Sequence, residues 1–206
     1  MLIDLTLREF LDELASDSAV PGGGSASALA GAAAGALVQM VARITTRKSP
    51  DARLIEVQEQ AAVLTERLSE LIQRDSDAFS EVVTAFKLPK TTPEEKEQRS
   101  QAVQAAYRNA AAVPLEVMQT ALDLLQLARD VAEHGNPNAL SDACVAAQLS
   151  WAAVQGAAYN VEINLPYIND EEFVSMAKDK MKELLYAADQ GKVGVEQCLC
   201  RRKQPR

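Results

Sequence analysis

The sequence predicts an all-α protein, a multihelical bundle built around two central apolar helices. Three observations carry that expectation. Apolar residues recur every three or four positions through several long segments, and no stretch alternates with period two over a useful length. Hydrophobic residues make up 48% of the chain and aromatics only 4%, a balance that suits helices meeting through Ala and Leu better than a β-sandwich. Two segments carry no charge, between Asp17 and Arg43 and between Asp142 and Glu162, and a helix without a charged face belongs inside a bundle. The 206 residues read as one domain, 1–206, in which 201–206 form a frayed basic tail.

Thr6-Leu7-Arg8-Glu9 is a capping box that starts the first helix, with Phe10, Leu11 and Leu14 as its buried stripe and an end near Ser16. Pro21-Gly22-Gly23-Gly24-Ser25 then reads as a loop feeding the first charge-free helix. Its glycines permit backbone angles that a Cβ disfavours, and Ser25 is placed to cap the helix. Backbone N–H groups left facing outward there suit an anion or a carbonyl oxygen. Small residues at Ser27, Gly31 and Gly35 would also fit a membrane helix pair, but an Ala- and Gly-rich segment is only weakly hydrophobic, and no membrane partner is expected. The helix becomes charged at Arg43 and Arg47, and Ser49-Pro50 caps and starts the next.

From about Pro50 to Phe86 a seam steps through Val57, Ala61, Leu64, Leu68, Leu71, Phe79, Val82 and Phe86. The step between Leu71 and Phe79 is filled by Asp75. A carboxylate on a packed face costs several kcal/mol unless it is paired, hydrogen-bonded or protonated, so Asp75 is either a partner for a neighbouring arginine or a functional group. Asp77 lies off the seam and reads as solvated. Leu88-Pro89 breaks the helix, which leaves Lys90 on a loop, and Thr92-Pro93-Glu94-Glu95 restarts it with proline at the first helical position. Pro114 is expected to kink or divide the following segment, which ends at Gly135. Asn138 is expected to cap the second charge-free helix, about 139–163, with Asp142 in its first turn and Cys144 as a small core residue. Asp170 caps an amphipathic helix that Gly191 should close, and a short helix near Val195 finishes the chain.

A net charge of −8 repels phosphate backbones, which excludes nucleic acid as the natural partner. Three cysteines make no disulfide or metal framework, and the early acid Asp4 does not fit a signal peptide, so a reduced, cytoplasmic setting is expected. A single histidine, His134, supports neither a histidine-based metal site nor a Ser-His-Asp triad, and no metal is expected. A non-enzymatic helical interaction protein fits the composition as well, but the buried Asp75 argues against it.

Five blocks sharpen the reading. Pro21-Gly22-Gly23-Gly24-Ser25-Ala26-Ser27-Ala28, Asp75-Ser76-Asp77-Ala78-Phe79, Leu88 to Lys96, Gly135-Asn136 with Ser141-Asp142, and Tyr159 to Leu165 resemble the cyclodeaminase/cyclohydrolase family of folate enzymes. That family includes the C-terminal half of formiminotransferase-cyclodeaminase and stand-alone methenyltetrahydrofolate cyclohydrolases. The resemblance implies an all-helical homodimer that acts on one-carbon tetrahydrofolates without metal or nucleotide cofactor. It places the catalytic aspartate at Asp75, while Asp77 stands where the family often has Glu. On this reading Gly22, Gly23, Gly24 and Ser25 hold the pterin or an anionic group, and Lys90, Arg43 and Arg47 meet the glutamate tail. Asp142 and Asn160 read the pterin's amino and amide edge. The expected reaction is hydrolysis of 5,10-methenyltetrahydrofolate to 10-formyltetrahydrofolate, and the alternative is deamination of formiminotetrahydrofolate. A separate formiminotransferase or methylenetetrahydrofolate dehydrogenase would be the metabolic partner.

Overall fold

In the computed structural model, which describes residues 1–47 and 49–203, six α-helices follow one another with no strand among the described residues. They are α1 (Leu7–Leu14), α2 (Gly23–Thr46), α3 (Ala52–Phe86), α4 (Pro93–His134), α5 (Leu140–Asn164) and α6 (Glu171–Lys203), with short 3₁₀ turns at Leu2–Asp4, Pro137–Ala139 and Leu165–Tyr167. The all-α expectation holds.

The bundle is organised on α2, which packs against α3, α4 and α5. Ala28, Ala34, Val38, Val41 and Ala42 are fully buried on it. By length and composition α2 is a candidate for crossing a membrane, yet here other helices cover it. Its small residues let the neighbours come close: a Cβ on Gly31 would sit 2.9 Å from Leu68 Cδ1, and one on Gly35 would overlap Thr65 Oγ1. The seam of α3 supplies the opposing surface, with Leu68, Leu71 and Ile72 almost wholly buried. A second layer of contact comes from α4, and α6 closes the far side by packing on α4 and α5.

Capping follows local chemistry, with some corrections. Thr6 and Glu9 form the reciprocal box that starts α1, and Thr92 and Glu95 form the one that starts α4 behind Pro93. Of the predicted α1 stripe only Phe10 is fully buried, and Leu11 is exposed. Asp51, not Ser49-Pro50, caps α3, because its carboxylate reaches Arg53 N at 2.9 Å. Asn136 rather than Asn138 does the capping before α5, accepting from the Asn138 amide at 3.0 Å. Cys144 is only partly buried.

Pro114 does not divide α4, which runs unbroken for 42 residues, about 63 Å. The carbonyl that proline leaves without an N–H partner is that of Ala110, and Asn164 Nδ2 donates to it at 3.1 Å. Gly191 likewise does not end α6. It lies against Leu125, where a Cβ would come within 2.9 Å of Cδ2, so its smallness serves close packing, and the region around Val195 is the same helix continuing. Asp170 caps α6 as expected, accepting from Phe173 N at 3.0 Å. Of the predicted frayed tail, 201–203 are helical and 204–206 lie outside the described residues.

Candidate active site

The start of α2 meets the middle of α3, and the site is built from that crossing. Gly22 is the residue before the helix and makes no side-chain cap, so Gly23, Gly24 and Ser25 form the first turn. Ser25 is therefore inside the helix, not its cap. The peptide bond before Pro21 is cis, and none of the glycines has a positive φ. What the glycines provide is room. A Cβ on Gly24 would lie 2.5 Å from Asp75 Cγ and 2.6 Å from Oδ2, and one on Gly23 would touch Asn160 Nδ2 at 3.5 Å. Gly24 lets the Asp75 carboxyl rest against the main chain of α2, and Gly23 faces Asn160 from α5.

Ser25 is fully buried and ties the crossing together. Its Oγ is 2.8 Å from Ile72 O, 3.1 Å from Asp75 Oδ2 and 3.1 Å from Ser76 Oγ. One hydroxyl proton cannot serve both the carbonyl and the carboxylate at once, so Asp75 competes for it. Burial pushes the Asp75 carboxyl above the ordinary aspartate value, and the hydrogen bonds from the Ser25 hydroxyl and amide pull partly the other way.

Asp75, Gly22 and Gly23 face a cleft of about 380 Å³, also lined by Phe79, Tyr107, Asn160, Asn164 and Tyr167. That volume lies in the range of small-molecule sites. Tyr107 from α4 and Tyr167 from the turn after α5 stack with centroids 4.9 Å apart and planes inclined by 15°, while Phe86 meets Tyr107 edge-on at 6.1 Å. The turn is fixed to α4 by Gln104, whose Nε2 donates to Tyr167 O at 2.9 Å and whose Oε1 accepts from Asn169 N at 2.7 Å.

Six of the residues singled out in the sequence thus come together: Gly22, Gly23, Gly24, Ser25, Asp75 and Asn160. Four do not. Arg43 and Arg47 stand at the other end of α2, 19 and 23 residues beyond Gly24, which is about 28 and 35 Å along a helix. Asp142 is in the first turn of α5, 18 residues or about 27 Å from Asn160. Lys90 is exposed on the loop between α3 and α4 and does not line the cleft. Neither lysine nor arginine is found among the described lining residues. Phe79, assigned to the core seam, is instead 43% exposed because it turns into the cleft mouth. Tyr107, Tyr167 and Asn164 were missed. The signal for Asn164 was available in Pro114, whose missing N–H asks for a polar partner nearby.

No group of three or more His, Cys, Asp or Glu side chains among the described residues is arranged to hold a metal ion. A helical bundle with one partly buried carboxyl, hydrogen-bonded by serine and set beside an aromatic cleft, defines an enzyme of the acid/base kind. Residues 6–183 match the family model described as formiminotransferase-cyclodeaminase, and the chain belongs to that family. It is 40% identical over 183 residues to a methenyltetrahydrofolate cyclohydrolase of Methylorubrum extorquens, covering 87% of this chain and 86% of the relative. It is 37% identical over 194 residues to the formimidoyltransferase-cyclodeaminase of Rattus norvegicus, covering 91% of this chain but 35% of that longer protein. The crystal structure of a formiminotetrahydrofolate cyclodeaminase from Thermotoga maritima superposes with a TM-score of 0.87 at 31% identity, over 98% of both chains.

Proposed function

We propose that the enzyme hydrolyses 5,10-methenyltetrahydrofolate to 10-formyltetrahydrofolate, with Asp75 as its acid/base group. The observation that carries this reading is the Asp75 carboxyl itself, partly buried at the cleft with its pKa moved up toward the working range of a general base. The substrate's amidinium cation favours the ionised carboxylate once bound. Asp75 takes a proton from water as the oxygen adds to the carbon between N5 and N10. The resulting carbinol is tetrahedral. Asp75 then passes its proton to N5, the bond from carbon to N5 breaks, and the carbinol proton is released as the formyl C=O forms on N10. Phe79 and the stacked tyrosines offer flat apolar surface to the rings, and Asn160 a polar contact to their edge.

A second reading is cyclodeamination of formiminotetrahydrofolate, in which the same carboxyl would take the N10 proton and give it to departing ammonia. It is favoured by the name carried by the Thermotoga maritima structure, which matches over its whole length. Hydrolysis is preferred because the full-length relative at 40% identity carries the cyclohydrolase name. Steady-state assays on both folates decide. A kcat/KM for formiminotetrahydrofolate well above that for the methenyl substrate would reverse the choice, and turnover of neither would end the folate reading. A methylenetetrahydrofolate dehydrogenase would supply the first substrate, and a separate formiminotransferase the second. The protein is expected to be a homodimer: Val83 and Phe86 on α3 and Tyr159 on α5 are large exposed apolar residues outside the cleft lining. Sedimentation showing only monomer at micromolar concentration would remove that expectation.

A further inference from the structure

Asn164 is gripped by two backbone carbonyls. Its Nδ2 donates to Ala110 O at 3.1 Å and to Asn160 O at 2.8 Å. The first of these acceptors is available because residue 114 is a proline, which has no N–H to offer the carbonyl four residues earlier. Turning the amide by half a rotation would set Oδ1 against both carbonyl oxygens, so its orientation is fixed by the chain. Both amide hydrogens are then engaged, and among the described residues no donor reaches Asn164 Oδ1. That atom is not buried either, since Ser150 Oγ is the sole buried side-chain polar atom without a partner among the described residues. Asn164 and Ala110 both line the cleft, and this oxygen is the part of the Asn164 amide left unengaged there. One turn earlier Asn160 Nδ2 donates to Gly156 O at 2.9 Å, which turns its Oδ1 away from that carbonyl, and among the described residues no donor reaches this oxygen, which lies opposite Gly23.

We propose that Asn164 is a specificity-determining residue and Pro114 its positioning residue. Asn164 Oδ1, with Asn160 Oδ1 beside it, accepts hydrogen bonds from the donor-bearing edge of a flat ring bound in the cleft. This rests on the folate reading above, under which that edge is the pterin's 2-amino group and N3–H. A carbonyl-bearing edge would be rejected at Asn164, because an acceptor whose amide hydrogens are both engaged has no proton to offer another acceptor. Pro114 matters to the site without touching substrate. With an N–H at residue 114, Ala110 O would be shared with a helical donor that draws it back along the helix axis, and the Asn164 amide would be held mainly by Asn160 O, its orientation less firmly fixed.

The test compares kcat and KM for the folate that the wild-type protein turns over with those for its analogue carrying methyl in place of the 2-amino group. Wild type should prefer the amino substrate by roughly tenfold, chiefly in KM, the worth of one hydrogen bond. The double variant Asn164→Leu, Pro114→Ala supplies Ala110 O with a helical N–H, so no backbone carbonyl is stranded. It should raise KM for the natural substrate, hold kcat and lose the preference for the amino group. An undiminished preference, or a loss confined to kcat, overturns the proposal. Should the double variant fail to fold, Pro114→Ala alone carries the test: a raised KM with kcat held supports the positioning role, and an unchanged KM overturns it. Wild-type protein that turns over no folate sinks the folate reading and this inference together, whereas normal turnover with undiminished preference sinks this inference alone.

Discussion

Gly24→Ala places one methyl group where the Asp75 carboxyl now rests. The added carbon would fall 2.5 Å from Cγ and 2.6 Å from Oδ2, whereas ordinary van der Waals contact starts near 3.4 Å. The carboxyl, whose Oδ1 would be closer still, must therefore retreat by more than about 1 Å, and an aspartate side chain is too short to swing aside without leaving Ser25, whose Oγ is 3.1 Å from Oδ2. A displacement of that size in a catalytic group costs about 10²-fold in rate. Stability should change much less. Alanine gains about 1 kcal/mol over glycine within a helix, and overpacking costs about 1–3 kcal/mol. The net is a loss of at most about 2 kcal/mol, a fall in Tm of a few degrees. The assay is kcat on the preferred folate together with a thermal melt, run beside Gly22→Ala and Gly23→Ala. At those positions a Cβ would meet no protein atom nearer than 3.9 Å and 3.5 Å, so both variants should leave the Asp75 carboxyl in place and, since both residues line the cleft, act on KM before kcat. Wild-type kcat in Gly24→Ala, or an equal loss in Gly22→Ala, would refute the idea that the glycine exists to seat the carboxyl.

Four further outcomes follow, three at the same crossing and one far from it. Asp75→Asn should lower kcat by about 10²–10⁴-fold, while Asp77→Asn, at an exposed position bonded to Gln73 Nε2, should not. Because the folded-state pKa of Asp75 is raised, its contribution to stability is complete below the ordinary value of 3.8 and is lost as pH rises through the folded value. The Tm of Asp75→Asn should accordingly gain on wild type across that window and hold its lead at neutral pH; parallel melting curves at every pH would contradict this. Ser25→Ala removes a hydrogen bond that lowers the Asp75 pKa, so the acid limb of kcat/KM should move to higher pH, and an unmoved limb would show that Ser25 does not bear on Asp75 ionisation. Arg43→Ala, Arg47→Ala and Asp142→Ala, each about 27 Å or more along its helix from the cleft-lining end, should leave kcat/KM of the protomer unaltered; a large loss would mean that a second copy brings those ends to the cleft.

Much of this architecture was legible from local signals, since the two charge-free segments, the two capping boxes and the broken seam at Asp75 are written in residues close together along the chain. The seam also exposed Asp75 as an anomaly before any helix was placed. The partners of that anomaly were not legible in the same way. Ser25 reads as a helix cap until α3 is brought against it, because its acceptors are 47 to 51 residues away. Arg43 and Arg47 share a helix with the glycines, yet a helix of 24 residues separates its ends by more than the width of a small ligand. Gly191 and Pro114 carry the strongest stop signals in their segments, and both were overridden by tertiary contact, one by Leu125 and the other by Asn164. Tyr107 and Tyr167 became a pair only when the turn after α5 folded back on α4.

The closeness of α2 to its neighbours bears on how this chain can diverge. At Gly24, Gly31 and Gly35, and at Gly156 opposite Ser27, the partner already occupies the space a side chain would need, so drift at these positions is confined to residues no larger than those present. A single added carbon there is a larger event than exchanging Leu for Met elsewhere in the core. Helix α6 is under a looser rule where it meets α5 through long side chains, as at Lys192 over Trp151, since such contacts can be retuned in pairs. Relatives should therefore keep the register of α2 against α3 and lose similarity first toward the end of α6. The family match here stops at residue 183, with twenty described residues of that helix still to run.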